Sequence, residues 1–149
     1  MKISFKGDYA LKAVLDLALH YNEDKVRINE IAKRQDIPLK YLSQILLVLK
    51  GAGYVQSRRG PQGGYWLARS PREITLGEII RLMDGPTSPI GCVSRSGYSK
   101  CNDEPFCPFV GIWAKVRDAI NEIVDHTTFE DICEIVKTQN KESSFTYYI

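Results

Sequence analysis

Residues 36–68, DIPLKYLSQILLVLKGAGYVQSRRGPQGGYWLA, constrain the fold more than any other stretch, because their apolar period changes once and abruptly. From Leu39 to Gly51, Leu42, Ile45, Leu46 and Leu49 recur at spacings of three and four while Lys40, Ser43 and Gln44 fall on the opposite side. That spacing predicts a helix with one buried face. Pro38 suits its first turn, where a missing N–H costs nothing. After Gly51 and Gly53 the period drops to two: YVQSRRG reads as a strand, PQGG as a turn and YWLA as the returning strand. So small a hairpin cannot cover the helical stripe, so other helices must.

Those helices are legible on both sides. Leu11, Val14, Leu15, Ala18 and Leu19 predict a helix over roughly residues 7–21. Asn29, an N-cap type, opens a second over residues 29–35 with Ile31 and Ala32 inward, closed by Asp36-Ile37-Pro38. Helix, helix, helix, hairpin is the order of a winged helix-turn-helix. Downstream, Thr75 and Glu78 fit a capping box for a helix over Leu76–Met83, which GPTSP ends. From Pro108 the chain is helical again, with Ile112, Trp113, Val116, Ile120, Ile123 and Val124 on one face over about 27 Å at 1.5 Å per residue. A last helix, capped by Thr128 with Asp131 three residues on, runs to about Val136 before the tail SSFTYYI. The expected fold is mainly α with a small β-hairpin wing. It divides into a winged helix-turn-helix DNA-binding domain (1–84), a cysteine loop (85–108), a dimerisation helix (109–126) and a C-terminal helix and tail (127–149).

The formal net charge of +2 conceals a split. Residues 25–72 hold ten Lys or Arg against two acids, whereas the remainder holds ten against sixteen. A basic module on an acidic chain points to a polyanion, with double-stranded DNA the leading partner and a solvated basic face the alternative. In a helix-turn-helix the second helix enters the major groove, which assigns base and phosphate contacts to Lys40, Tyr41, Ser43 and Gln44. Gln44 suits adenine, Ser43 is permissive, and Lys40 suits guanine or phosphate. Arg58 and Arg59 precede the wing tip at Gly60, from which a guanidinium can enter a narrow minor groove. The long stripe from Ile112 to Val124 has few apolar elements left in its own chain to cover it, so a homodimer seam is expected, with packing inside one subunit as the alternative. Dimerisation sets two recognition helices about one DNA turn (~34 Å) or more apart and makes the operator pseudo-palindromic.

Three of the four cysteines lie within CVSRSGYSKCNDEPFC, residues 92–107. The N-terminal apolar stretch is broken by Lys6, Asp8, Lys12 and Asp16, which argues against a signal peptide or membrane span, so a cytoplasmic protein with no membrane partner is expected. In that compartment clustered cysteines bind metal or react more often than they form structural disulfides. Soft thiolates on a flexible loop suit an iron-sulfur cluster. Zinc, a metal-free thiol switch and inert thiols are the rivals. Cys133, among Ile132 and Val136, reads as core. No nucleotide loop, paired carboxylate site or nucleophile motif is present, so the chain is not expected to be an enzyme.

MKISFKGDYALKAVLDLA, DIPLKYLSQILLVLK, SRRGPQGGYWLA and ITLGEIIRLMDGP together resemble, across nearly the whole chain, a family of bacterial winged helix-turn-helix regulators. That family includes the iron-sulfur regulator IscR, the nitric-oxide sensor NsrR and the cysteine-metabolism repressor CymR. The resemblance implies a dimeric transcription factor whose operator affinity follows the state of an iron-sulfur cluster, 2Fe-2S in the first instance and 4Fe-4S otherwise, sensing redox, nitric oxide or iron-sulfur status. Cys92, Cys101 and Cys107 match the three cysteine ligands. IscR-like members carry a histidine ligand where this chain has Val110, which cannot ligate. The nitric-oxide-sensing branch uses an aspartate from the partner's first helix, which implies Asp8 in trans; water, a small thiol, His20 and His126 are the other candidates, and a solvated acid is the plain reading of Asp8. Ser43 replaces a glutamate of the cluster-biogenesis regulators, which leaves the operator open. CymR-like members share an aromatic-isoleucine tail, which implies an alternative: a cysteine-metabolism repressor without an obligatory cluster, acting as a thiol switch or by docking Ile149 into cysteine synthase, against simple packing of Phe145, Tyr147 and Tyr148.

Overall fold

The computed structural model describes residues 1–146. Helix α1 (Phe5–Leu19) begins and ends two residues earlier than the apolar period indicates. Its cap is Ser4, whose Oγ accepts from the Gly7 N–H at 3.0 Å and which is itself held by the Asp84 carboxylate, its N–H donating to Oδ2 at 3.0 Å. Helix α2 (Ile28–Gln35) is capped at Arg27, and Asn29 lies inside the first turn. Val26 and Tyr65 exchange backbone hydrogen bonds at 2.9 and 2.8 Å, which fixes the chain just before that turn. Glu30 Oε2 then accepts the Arg27 N–H at 3.0 Å. Helix α3 (Leu39–Gly51) has the expected bounds, with Pro38 as its cap residue.

Strands β1 (Val55–Arg58) and β2 (Gly64–Leu67) pair antiparallel, Val55 opposite Leu67 and Arg58 opposite Gly64, and Val26 extends the wing through its bridge to Tyr65. Helix α4 (Leu76–Asp84) carries the expected capping box: Glu78 Oε2 accepts from the Thr75 N–H at 2.8 Å while Thr75 Oγ1 accepts from the Glu78 N–H at 3.3 Å. Two single turns, Gly91–Val93 and Glu104–Phe106, interrupt the segment that leads to helix α5 (Val110–His126).

Helix α6 (Phe129–Thr146) continues well past Val136. Its second half lacks an apolar face, so hydrophobic period cannot reveal it; the helix is carried instead by solvated side chains. Lys137 pairs with Glu134 at 2.7 Å, and the hydroxyls of Thr138, Ser143 and Ser144 donate to carbonyls one turn back. No Gly or Pro stands there to end it.

The core forms where α1, α3, α4, the wing and the start of α6 meet. Ala10, Val14 and Leu17 of α1 pack with Leu42, Ile45, Leu46 and Leu49 of α3, and with Val55, Leu67, Ile79 and Phe129. One charged group sits in this interior. Asp16 is 1% exposed and accepts two bonds from Arg34, Nε to Oδ2 at 2.9 Å and Nη2 to Oδ1 at 2.8 Å, with a third from Gln35 Nε2 at 3.1 Å. Bidentate geometry plus an amide satisfies the carboxylate, which makes burial of the pair tolerable. The same bonds set the angle between α1 and α2, the first helix of the helix-turn-helix.

Candidate nucleic-acid interface and cysteine loop

Burial of Leu42, Ile45, Leu46 and Leu49 fixes the rotation of α3 about its axis. Lys40, Tyr41, Ser43 and Gln44 therefore face outward together. Ser43 is partly engaged, its Oγ donating to the Leu39 carbonyl at 3.0 Å. Two residues that residue-type reasoning passed over share this surface: Leu47, 71% exposed, and Val48, one turn beyond Ser43 and Gln44. Their helical spacing from those residues is the available signal; as apolar side chains outside the stripe of Leu42, Ile45, Leu46 and Leu49, they do not match the polar residue types by which a DNA-facing surface is read.

The wing stands beside α3. Lys50 Nζ donates to Ser57 Oγ at 2.8 Å, and a hollow of about 320 Å³ between helix and strand is lined by Ser43, Leu47, Arg58 and Arg59. The tip needs its glycines for steric reasons. Gly60 has φ of 107°, and a Cβ at Gly63 would collide with the Arg58 carbonyl. Arg27 Nη2 braces the tip by donating to the Pro61 carbonyl at 2.8 Å. Arg58 and Arg59 are exposed, and among the described residues their guanidinium groups have no ion pair or hydrogen bond.

Of the six residues of the expected α5 stripe, five lie on a surface not covered by their own chain or only half covered. Ile112 is 54% and Ile123 66% exposed, Trp113 is exposed, and Val116 and Ile120 are half-buried. Val124 departs from them: it is 6% exposed and packs on α4 at Gly77. The α5 stripe thus straddles two surroundings, an inner edge that belongs to the subunit and an outer one that is open. Phe106 and Phe109, on the segment just before α5, are exposed as well.

The cysteine loop, residues 85–109, is held by polar clips. Arg117 of α5 donates from Nη1 to the Val93 carbonyl at 2.7 Å, the Gly97 N–H donates to Ser94 Oγ at 2.9 Å, and the Ser99 N–H donates to the Gly91 carbonyl at 3.1 Å. Tyr98 donates its hydroxyl to Glu104 Oε2 at 2.8 Å, which pushes the phenol pKa up. Cys92, Cys101 and Cys107 are free thiols, each partly exposed and outside the core. Among the described residues no three His, Cys, Asp or Glu side chains are gathered closely enough to hold a metal ion. The donor set nonetheless has the chemistry of a cluster site: three soft, unpaired thiols on a segment whose only regular structure is the two single turns, one of which carries Cys92.

Asp8 lies in the first turn of α1, half-exposed, and pairs with Lys12 at 2.7 Å. That hydrogen bond raises the Lys12 pKa. Within the described residues neither Asp8 nor His20, whose Nδ1 is 2.7 Å from the Asp16 carbonyl, nor His126, whose Nδ1 is 2.8 Å from that of Glu122, joins two of the cysteines in a metal-holding group. Cys133 is buried on α6, and burial pushes its thiol pKa up. The terminal Tyr147, Tyr148 and Ile149, with the docking role expected of Ile149, lie outside the described residues, as does the side chain of Phe145.

The sequence profile of the Rrf2 family, described as an iron-dependent transcriptional regulator, matches residues 3–135. The HTH-type transcriptional regulator CymR of Bacillus subtilis is 35% identical over 149 residues, covering 100% of both chains. The solved structure of that protein, described as the global cysteine regulator of B. subtilis, superposes with a TM-score of 0.77 over 91% of this chain and 98% of the other. The structure of IscR from T. potens superposes with a TM-score of 0.72 at 38% identity, over 91% of this chain and 88% of the other.

Proposed function

Since the chain belongs to the Rrf2 family of transcriptional regulators, whose named members here are regulators and not enzymes, we propose that it binds a pseudo-palindromic DNA operator as a homodimer and that the loop bearing Cys92, Cys101 and Cys107 sets its affinity by holding an iron-sulfur cluster. The observation that carries the DNA reading is the shared exposure of Lys40, Tyr41, Ser43, Gln44, Arg58 and Arg59 beside one another, with the wing guanidiniums unpaired among the described residues. Free guanidinium groups on a braced hairpin are suited to phosphate or to a narrow minor groove. Leu47 and Val48 add apolar surface that suits thymine methyl groups. The open face formed by Ile112, Trp113, Val116, Ile120 and Ile123 supports pairing of two subunits, since so much apolar surface on one helix calls for a partner.

At the loop, the three thiolates would hold three corners of the cluster, and Asp8 of the partner subunit is the fourth ligand we assign, because Val110 offers no donor. When bound, the cluster supplies redox and nitric-oxide chemistry at the loop. The protein's own contribution is a clipped, partly exposed segment between the winged unit and α5. Its three weak anchors can be rearranged without disturbing the core.

The match to B. subtilis CymR along the full length of both chains favours one second reading, a repressor of cysteine metabolism that uses the loop as a thiol switch or presents Ile149 to cysteine synthase. One experiment separates the two. Protein purified without oxygen is expected to be brown, with iron and acid-labile sulfide in equal amounts, and Cys92→Ala, Cys101→Ala or Cys107→Ala to abolish the colour. A colourless, iron-free protein that still binds operator would leave the second reading. One zinc per chain would overturn the cluster.

A further inference from the structure

The arginines that clip the cysteine loop also enclose a cavity that neither DNA binding nor a cluster employs. It holds about 150 Å³ and lies where α4, the start of the loop and the middle of α5 meet. Arg81, Arg95 and Arg117 line it together with Ser88, Ser94 and Ser96, and Asp125 and Asn121 complete the wall beside Arg81. Asp125 takes up Arg81, with Nη1 donating to Oδ1 at 2.6 Å and Nη2 to Oδ2 at 3.0 Å. Arg95 and Arg117 are left to share the one carboxylate of Asp118, Nη2 of the first and Nε of the second both donating to its Oδ1 at 2.9 Å. Three cations therefore face two anions.

Of the two arginines that share Asp118, Arg117 is the one shielded from water. The Arg117 side chain is 16% exposed, and its Nη1 is fixed by the Val93 carbonyl. Attraction for an anion beside such a group is about four times that in bulk water. The floor is rigid as well: Thr87, 3% exposed, donates its hydroxyl to Asn121 Oδ1 at 2.6 Å and accepts from Arg81 Nη2 at 3.2 Å. Ser94 Oγ accepts from the Gly97 N–H, which leaves its proton free to donate. The volume is well under the roughly 300–1,000 Å³ of pockets that take drug-sized ligands.

We propose that this cavity binds a small divalent oxyanion of the sulfate or phosphate type, held by Arg95 and Arg117 and by the hydroxyls of Ser88, Ser94 and Ser96. Sulfate presents only acceptors and divalent phosphate three acceptor oxygens and one hydroxyl, and guanidinium and serine groups meet those oxygens with donors. Cys92 lies on the segment between Ser88 and Ser94, so occupancy stiffens the turn that carries the first cysteine whether or not a cluster is present.

Calorimetric titration with sodium sulfate, and separately with phosphate, at ionic strength held constant with chloride tests this on the full-length protein. Saturable binding at one site per chain is expected for the wild type and for Arg59→Ala, and binding about tenfold weaker for Arg95→Ala and Arg117→Gln, as loss of a charge-assisted bond implies. Arg95 is 68% exposed, so its removal leaves the fold intact. Absence of saturable heat up to about 10 mM of both anions would overturn the proposal. So would binding lost in Arg59→Ala and kept in Arg95→Ala, which would move the anion to the wing.

Discussion

The winged unit and the cysteine loop are neighbours built by opposite means. In the winged unit Leu42, Ile45, Leu46 and Leu49 are almost completely buried against α1 and the wing, and the Asp16–Arg34 pair locks α1 to α2. Between α4 and α5 only Thr87, Val93 and Ser94 are buried, and hydrogen bonds hold the chain. Each such bond nets about 1 kcal/mol, whereas each buried large apolar side chain contributes about 1.5–3 kcal/mol. The reader is thus fixed by packing and the loop by a few reversible contacts. In the proposed function, chemistry at the cysteines moves the loop without unfolding the reader.

That contrast can be broken at several strengths. Phe129→Ala removes a side chain 1% exposed that joins α6 to the winged core, and a loss of about 3–5 kcal/mol in urea unfolding is expected. A loss under about 1 kcal/mol would mean that α6 is only appended. Arg34→Ala leaves the buried Asp16 carboxylate with only Gln35 Nε2 at 3.1 Å and the His20 ring at 3.7 Å beside it and should cost about 3 kcal/mol, read in the same experiment. Arg59→Ala should weaken operator binding by about 1–3 kcal/mol in a fluorescence titration while the unfolding midpoint stays put. Cys92→Ser in cluster-free protein should change stability by no more than about 0.5 kcal/mol, because nothing in the core rests on it. The smallest effect concerns rates of thiol labelling. Cys133 has its pKa raised by burial, so at a given pH it holds less thiolate than an ordinary cysteine, and mass spectrometry of native, cluster-free protein at mildly alkaline pH should find Cys92, Cys101 and Cys107 alkylated before it. Equal rates would show that α6 opens readily.

Much of the winged unit is legible because its signals are local. The period of α3, the glycines around Gly60 and the Thr75–Glu78 box each name their element within a few residues. What the chain hides depends on other elements. Arg27 displaces Asn29 as the cap of α2 because Val26 is tied to Tyr65 across the wing, some forty residues on. Asp16 reads as a break in an apolar face and is instead the buried anchor for Arg34. Val124 shares a helical stripe with Ile120 yet packs on α4, a distinction that requires knowing where α4 lies. The second half of α6 has no apolar period at all. At the loop, the clustering of Cys92, Cys101 and Cys107 within sixteen residues is plain from the sequence, whereas the ligand roles proposed for them and for Asp8 rest on the family resemblance and on a second subunit.

The central claim is that the loop governs the reader, and the direct measurement is operator affinity as a function of loop state. A DNA fragment selected from a random pool by the anaerobically purified dimer serves as probe, titrated at fixed salt with that protein, with the same protein after exposure to air, and with Cys92→Ala. The affinity of the wild type is expected to change by about tenfold or more on oxidation, the usual size of coupling between two sites, while Cys92→Ala does not respond. Equal affinities for the wild type in both states would contradict control by the loop.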